Sequence, residues 1–136
     1  MTERLFVYGS LRRGSGHPMS TWLAAFTRVL AAGKVRGSLF RVSYYPGLVP
    51  GPGWVVGELL ELEPPTAKET LVALDAFEVC AWRDDDEFRR ERSTIVLADG
   101  SEIEAWVYWF RGSTQELEAV PDGDWLASMP AGINGP

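Results

Sequence analysis

Two hydrophobic periods run along this chain, and each change of period marks an element. "RLFVYG" (residues 4–9) is short, apolar and aromatic and ends at a glycine, which predicts a buried first strand. "HPMSTWLAAFTRVL" places Trp22, Leu23, Phe26 and Leu30 on one helical face. Ser20 or Thr21 is available as its cap and Gly33 as its stop. In "KVRGSLFRV" the period returns to two, with Val35, Gly37 and Leu39 facing one way. The proline- and glycine-punctuated "SYYPGLVPGPG" reads as a loop, and "WVVGELLEL" as the next strand.

"PPTAKETLVALDAF" carries the clearest helical signal. Thr66 and Glu69 have capping-box spacing behind two prolines, and Leu71, Leu74 and Glu78 fall on one side. "EFRRERSTIVLADGSEIEAWVYWF" then predicts a hairpin turning at Asp99-Gly100. From Arg111 on, the chain is polar and proline-rich, and mostly irregular structure is expected. Strand, helix, two strands, helix and hairpin is not the alternation of a doubly wound sheet. It predicts an α+β fold whose mostly antiparallel sheet can curl into a barrel.

Composition sharpens this picture. With 136 residues, 46% of them hydrophobic and 24% charged, the chain predicts one globular domain over 1–136, with a core over about 4–125 and an irregular tail. A net charge of −6 and no basic run of five disfavour nucleic acid and anionic membranes as partners. Cys80 is the single cysteine, no apolar stretch reaches spanning length, and "MTERLF" lacks a secretory pattern, so the expected location is cytoplasmic. One cysteine and one histidine cannot build a thiolate zinc site; a metal held mainly by carboxylates stays open at this point, although the sequence spells neither a metal nor a cofactor signature.

The chemistry starts at the exit of the first strand. "GSLRRGSG" spaces Gly9 and Gly14 as a phosphate loop would, but Ser15 and Gly16 stand where Lys and Ser/Thr are needed. The dinucleotide pattern fails too, since Leu11 follows where a second glycine belongs. Two readings are left: a tight strand exit with solvated arginines, or backbone N–H groups after Tyr8 that receive an anion or a carbonyl oxygen. The second candidate is Glu78. In "LDAFEVCAW" it ends a helix beside Phe77, Cys80 and Trp82, where ionising a carboxylate is costly and its pKa should rise towards a general base's range. A helix C-terminus prefers cations, so stability alone does not explain an acid there.

Taken in order, these pieces resemble the γ-glutamylcyclotransferase-like (AIG2-like) family. The hallmarks are a first strand ending in Tyr8-Gly9-Ser10-Leu11 and a helix ending in Leu74-Asp75-x-Phe77-Glu78. "YPGLVPG", "GELLEL", "FRRERSTI" and "EAWVYWF" follow the family's order, and the likeness spans roughly residues 5–125. The resemblance implies a small mixed, mostly antiparallel barrel-like sheet with flanking helices and one cavity. It further implies that Tyr8, Gly9, Ser10 and Leu11 receive a small-molecule γ-glutamyl substrate. Glu78 would be the general acid/base as the α-amine attacks its own γ-carbonyl, releasing 5-oxoproline and an amine or amino acid.

Around this core stand lesser candidates. Tyr108 is either a substrate hydrogen-bonder or a plain sheet aromatic, sharing a face with Trp106 and Phe110. Arg12 is either a partner for the substrate's α-carboxylate or surface charge. Val79 replaces a glycine common in the family, and the acidic insert "RDDDE" (83–87) either alters the pocket rim, and with it substrate choice, or is simply a solvated loop at Asp84 to Asp86, the favoured reading. His17 is expected at the surface and Cys80 as a packed thiol. The expected function is γ-glutamyl cyclotransfer. The alternatives are a specialised γ-glutamyl deprotection step in a biosynthetic pathway, or a non-catalytic binding module.

Overall fold

The computed structural model describes residues 2–78 and 86–128. Its elements are β1 (Arg4–Val7), α1 (Pro18–Ala24), β2 (Thr27–Arg41), β3 (Pro46–Leu62), α2 (Ala67–Phe77), β4 (Phe88–Leu97), β5 (Glu102–Phe110), β6 (Glu118–Ala119) and α3 (Trp125–Ser128). Short 3₁₀ turns, Pro64–Thr66 and Pro121–Gly123, precede α2 and α3. The strands run β3-β1-β5-β4-β2-β6, and β3 also pairs with β2, so the first five close into a barrel with β6 outside it. Among the described residues only β1 and β5 pair in parallel; every other pairing is antiparallel.

Closure puts a core on each side of β1. Phe6 and Tyr8 point inward, among Val35, Leu39, Val55 and Val107, in a cluster fed by all five barrel strands. Leu5 and Val7 point outward, against Leu23 of α1 and Leu71 and Leu74 of α2. Two covered faces explain why "LFVY" is a continuous apolar run. The same alternation places Trp106, Tyr108 and Phe110 of β5 on the outer, helix-covered side and Ala105 and Val107 inside.

Several local expectations are corrected. The first helix stops at Ala24, and Thr27–Leu30 belong to β2, where Thr27 pairs with Leu62 and Val29 with Leu60. β-branched Thr27 and Val29 suit a ladder, and pairing with β3 outweighs the helical spacing. His17, not Ser20 or Thr21, caps the helix, its Nδ1 accepting the Met19 N–H at 3.0 Å. Gly33 stops no helix; it lies inside β2 where a Cβ would come 2.9 Å from Ile95.

Most of the expected loop at 43–53 is strand. β3 begins at Pro46, and its register against β2 jumps from Ser38↔Val49 to Arg36↔Trp54. Pro50 and Pro52 fall in that jump, where no ladder N–H is required of them. The capping box also does not form. Thr66 has φ −118° and ψ 7° rather than the extended backbone of a side-chain cap, and its buried hydroxyl has no partner among the described residues. The hairpin is as expected: Leu97 accepts the Gly100 N–H at 2.9 Å, with Gly100 at φ +88°. The tail contributes more than anticipated, since Trp125 is buried against the barrel interior.

Candidate active site

One end of the barrel gathers the exit of β1, the β2–β3 turn, the end of α2 and the start of β4. Between them lies a pocket of about 180 Å³, lined by Tyr8 to Leu11, His17, Tyr44 to Pro46, Phe77, Glu78, Glu87, Phe88 and Tyr108 among others. Its size suits a small organic molecule rather than a polymer.

The strand exit is a closed turn, Arg12 N–H donating to the Gly9 carbonyl at 2.9 Å. A Cβ on Gly9 would sit 2.6 Å from Pro46 Cγ, so only glycine lets the turn lie against the start of β3. The Ser10 carbonyl is occupied by the Ser15 hydroxyl at 2.6 Å. Among the described residues the Ser10 and Leu11 N–H groups donate to nothing. Central amides of a closed turn are the donors that an arriving oxygen can use.

Glu78 caps the C-terminal end of α2, its N–H donating to the Leu74 carbonyl at 2.9 Å. Its carboxyl lines the pocket, and among the described residues no donor meets it. Burial, reinforced by the charge of Glu87, pushes its pKa up to about 8. Glu87 lies opposite, just before β4; its Oε1 accepts the Tyr45 hydroxyl at 2.7 Å, and its carbonyl accepts the Arg111 N–H at 2.8 Å. Burial, then this bond, raises the Tyr45 phenol.

Behind the pocket is a different ionic arrangement. Asp75, one turn before Glu78, receives Arg90 Nε at 2.8 Å and Nη2 at 3.1 Å, and its Oδ1 accepts the Tyr108 hydroxyl at 2.7 Å. Arg90 lies 4.2 Å over the Trp106 ring, and the Trp106 indole donates to Glu3. The Tyr108 carbonyl in turn accepts the Tyr8 hydroxyl at 2.7 Å. Burial raises both phenols, and for Tyr108 the bond to Asp75 adds to it.

The structure thus brings Tyr8, Gly9, Ser10, Leu11, Glu78 and Tyr108 to one pocket and leaves Arg12 off its lining. Arg12 is turned to Glu58 at 2.7 Å and Asp124 at 3.1 Å, where it ties the strand exit to β3 and the C-terminal segment. Tyr108 reaches the pocket with its hydroxyl already given to Asp75. His17, expected at the surface, is half-buried on the lining, its ring edge-on to Phe77 at 5.4 Å. Asp86, read as a solvated-loop residue, is buried. Val79, Cys80 and the insert residues 83–85 lie outside the described residues. Tyr45 and Glu87 were not singled out as site residues; "YYPG" and the acidic insert were the signals, but their meeting needs the β2–β3 turn folded over β4.

Among the described residues no group of His, Cys, Asp and Glu could hold a metal ion, and no helix is long and apolar enough to cross a membrane. The sequence profile of the family described as γ-glutamyl cyclotransferase, AIG2-like, matches residues 5–127. Over 123 residues the chain is 32% identical to the γ-glutamylcyclotransferase family protein YtfP of Escherichia coli K12, covering 90% of this chain and 96% of that protein. The solution structure of ytfP from Escherichia coli matches with a TM-score of 0.61 at 31% identity, over 90% of this chain and 96% of that one. A crystal structure of an AIG2-like protein from Mus musculus gives 0.69 at 23% identity, over 87% and 85%, a likeness of fold.

Proposed function

Because the chain belongs to the γ-glutamylcyclotransferase, AIG2-like family, we propose that it cyclises the γ-glutamyl group of a small γ-glutamyl compound, with Glu78 as the acid/base. The observation that supports this reading is Glu78 itself: a carboxyl on the pocket wall, with no donor among the described residues and a proton affinity suited to neutral pH. Nucleophile and electrophile belong to one substrate, so folding the glutamyl chain in a small pocket removes much of the entropic barrier.

In the proposed sequence, ionised Glu78 takes one proton from the α-ammonium. The freed amine attacks the γ-carbonyl carbon, and the oxyanion that forms faces the Ser10 and Leu11 N–H groups. Glu78 passes its proton to the leaving nitrogen as that C–N bond breaks. The ring nitrogen gives up its second proton through Glu78, so the products are 5-oxoproline and the protonated amine. Atoms and charge balance without a co-reactant. Tyr8 and Tyr108 shape the wall, and no contact of Arg12 with substrate enters the scheme.

The test is a panel of γ-glutamyl amines, amino acids and peptides assayed for 5-oxoproline. Release from at least one compound is expected. Measurable binding without release from any would assign a binding module instead.

A further inference from the structure

Glu87 carries out no step in that scheme, yet it faces the same space as Glu78. Resting on the cyclisation reading, we propose that Glu87 is a second substrate-contacting residue: with Oε1 taken by the Tyr45 hydroxyl, it offers its other oxygen to the substrate's α-ammonium while Glu78 takes the proton.

Three observations carry this. Glu87 is held in place from two directions: by the Tyr45 hydroxyl at 2.7 Å, and through its carbonyl by the Arg111 N–H at 2.8 Å. A side chain so restrained is placed rather than loose in solvent. Secondly, among the described residues the lining contains two carboxylates and no Lys or Arg. The neighbouring arginines are engaged elsewhere, Arg12 with Glu58 and Asp124 and Arg90 with Asp75. Among the described residues His17 is the remaining basic group on the lining, and its Nδ1 already accepts the Met19 N–H at 3.0 Å. Two like charges facing a shared pocket repel, and a ligand cation relieves that repulsion. Thirdly, the charge of Glu87 is felt at both Glu78 and Tyr45, so the three side chains surround one space. An ammonium has three N–H donors, enough for Glu87 to hold one while Glu78 removes another.

The experiment compares a γ-glutamyl alkylamide with its glutaryl counterpart, identical except for the missing α-ammonium. Binding is measured by calorimetry to Glu78→Gln, whose turnover is slowed enough for the titration, and to Glu78→Gln/Glu87→Gln. Glu78→Gln should prefer the γ-glutamyl compound by about tenfold or more, as expected for a charge-assisted hydrogen bond. Adding Glu87→Gln should reduce that preference to within about twofold and leave glutaryl binding unchanged. Tyr45→Phe on the Glu78→Gln background keeps the carboxylate but removes its anchor, and should reduce the preference by about threefold.

A double variant that retains the full preference overturns the proposal. If the double variant loses glutaryl binding as well, Tyr45→Phe decides, and an undiminished preference there overturns it. Cyclisation fails separately: with no 5-oxoproline from wild type but a preference that depends on Glu87, ammonium recognition stands and the reaction does not.

Discussion

Asp75 and Glu78 lie three residues apart at the end of one helix, and the fold treats them in opposite ways. Asp75 is compensated completely. A guanidinium meets it side-on, a phenol donates to it, and the ion pair is part-buried, its two side chains 13% and 12% exposed. Glu78, at the same helix end, lies on the pocket wall, where it feels the charge of another carboxylate, Glu87. The difference teaches how to tell two kinds of acid apart. A carboxylate supplied with donors fixes structure, here the end of α2 against β4 and β5. One that meets no donor among the described residues, at a pocket wall, is held in a state costly to ionise, which is the condition the proposed chemistry needs.

The largest effect should come from removing the uncompensated acid. Glu78→Gln is expected to lower kcat for 5-oxoproline release by about 10²- to 10⁴-fold, with the fold intact by circular dichroism. Asp75→Ala should do the reverse in kind: it removes the acceptor of the Arg90 guanidinium and of the Tyr108 hydroxyl and costs about 2 kcal/mol, read as a lower midpoint in denaturant. If Asp75→Ala left stability untouched and Glu78→Gln collapsed the fold, the comparison would be inverted.

A subtler test uses pH. Folded Glu78 holds its proton up to about pH 8, against an ordinary value of 4.5. Its contribution to folding is therefore fully present below about 4.5 and is lost as pH rises through about 8. Wild type should accordingly lose stability relative to Glu78→Gln across that window. The gap should be about 2 kcal/mol by pH 9, since the pocket's opening to solvent softens the cost of ionisation. A gap that stayed constant with pH would place the titrating group elsewhere.

Arg12 extends the comparison as another compensated charge. Arg12→Ala should cost about 1 kcal/mol of stability, through its bonds to Glu58 and Asp124, and leave kcat/KM within about twofold. A large loss of kcat/KM at unchanged stability would return Arg12 to the substrate. Smallest of all, Thr66→Ala should change stability by less than about 0.5 kcal/mol, because its hydroxyl makes no cap bond to lose.

How far the sequence could be read follows from the range of the interactions involved. β1, α2 and the β4–β5 hairpin declare themselves through local signals: an apolar run, Leu71 and Leu74 at helical spacing, and Asp99-Gly100. The start of β2 did not, because Trp22, Leu23 and Phe26 continue a helical stripe while Thr27 and Val29 are claimed by Leu62 and Leu60 some thirty residues on. Prolines disguised β3, whose register jump is visible only against β2. At the site, the family's ordered motifs pointed to Tyr8 to Leu11 and Glu78, and the structure places these residues on one pocket. Tyr45 with Glu87, and Arg12 with Glu58, are pairings across 42 and 46 positions that no local pattern encodes.

The most direct test of Glu78's role is the pH profile of kcat/KM for 5-oxoproline release, measured side by side for wild type and Glu78→Gln. Wild type should show an acid limb near pH 8, set by Glu78 in the free enzyme, and the variant's residual rate should lack it. A Glu78→Gln protein that releases 5-oxoproline at the wild-type rate, with the same limb, would contradict the account.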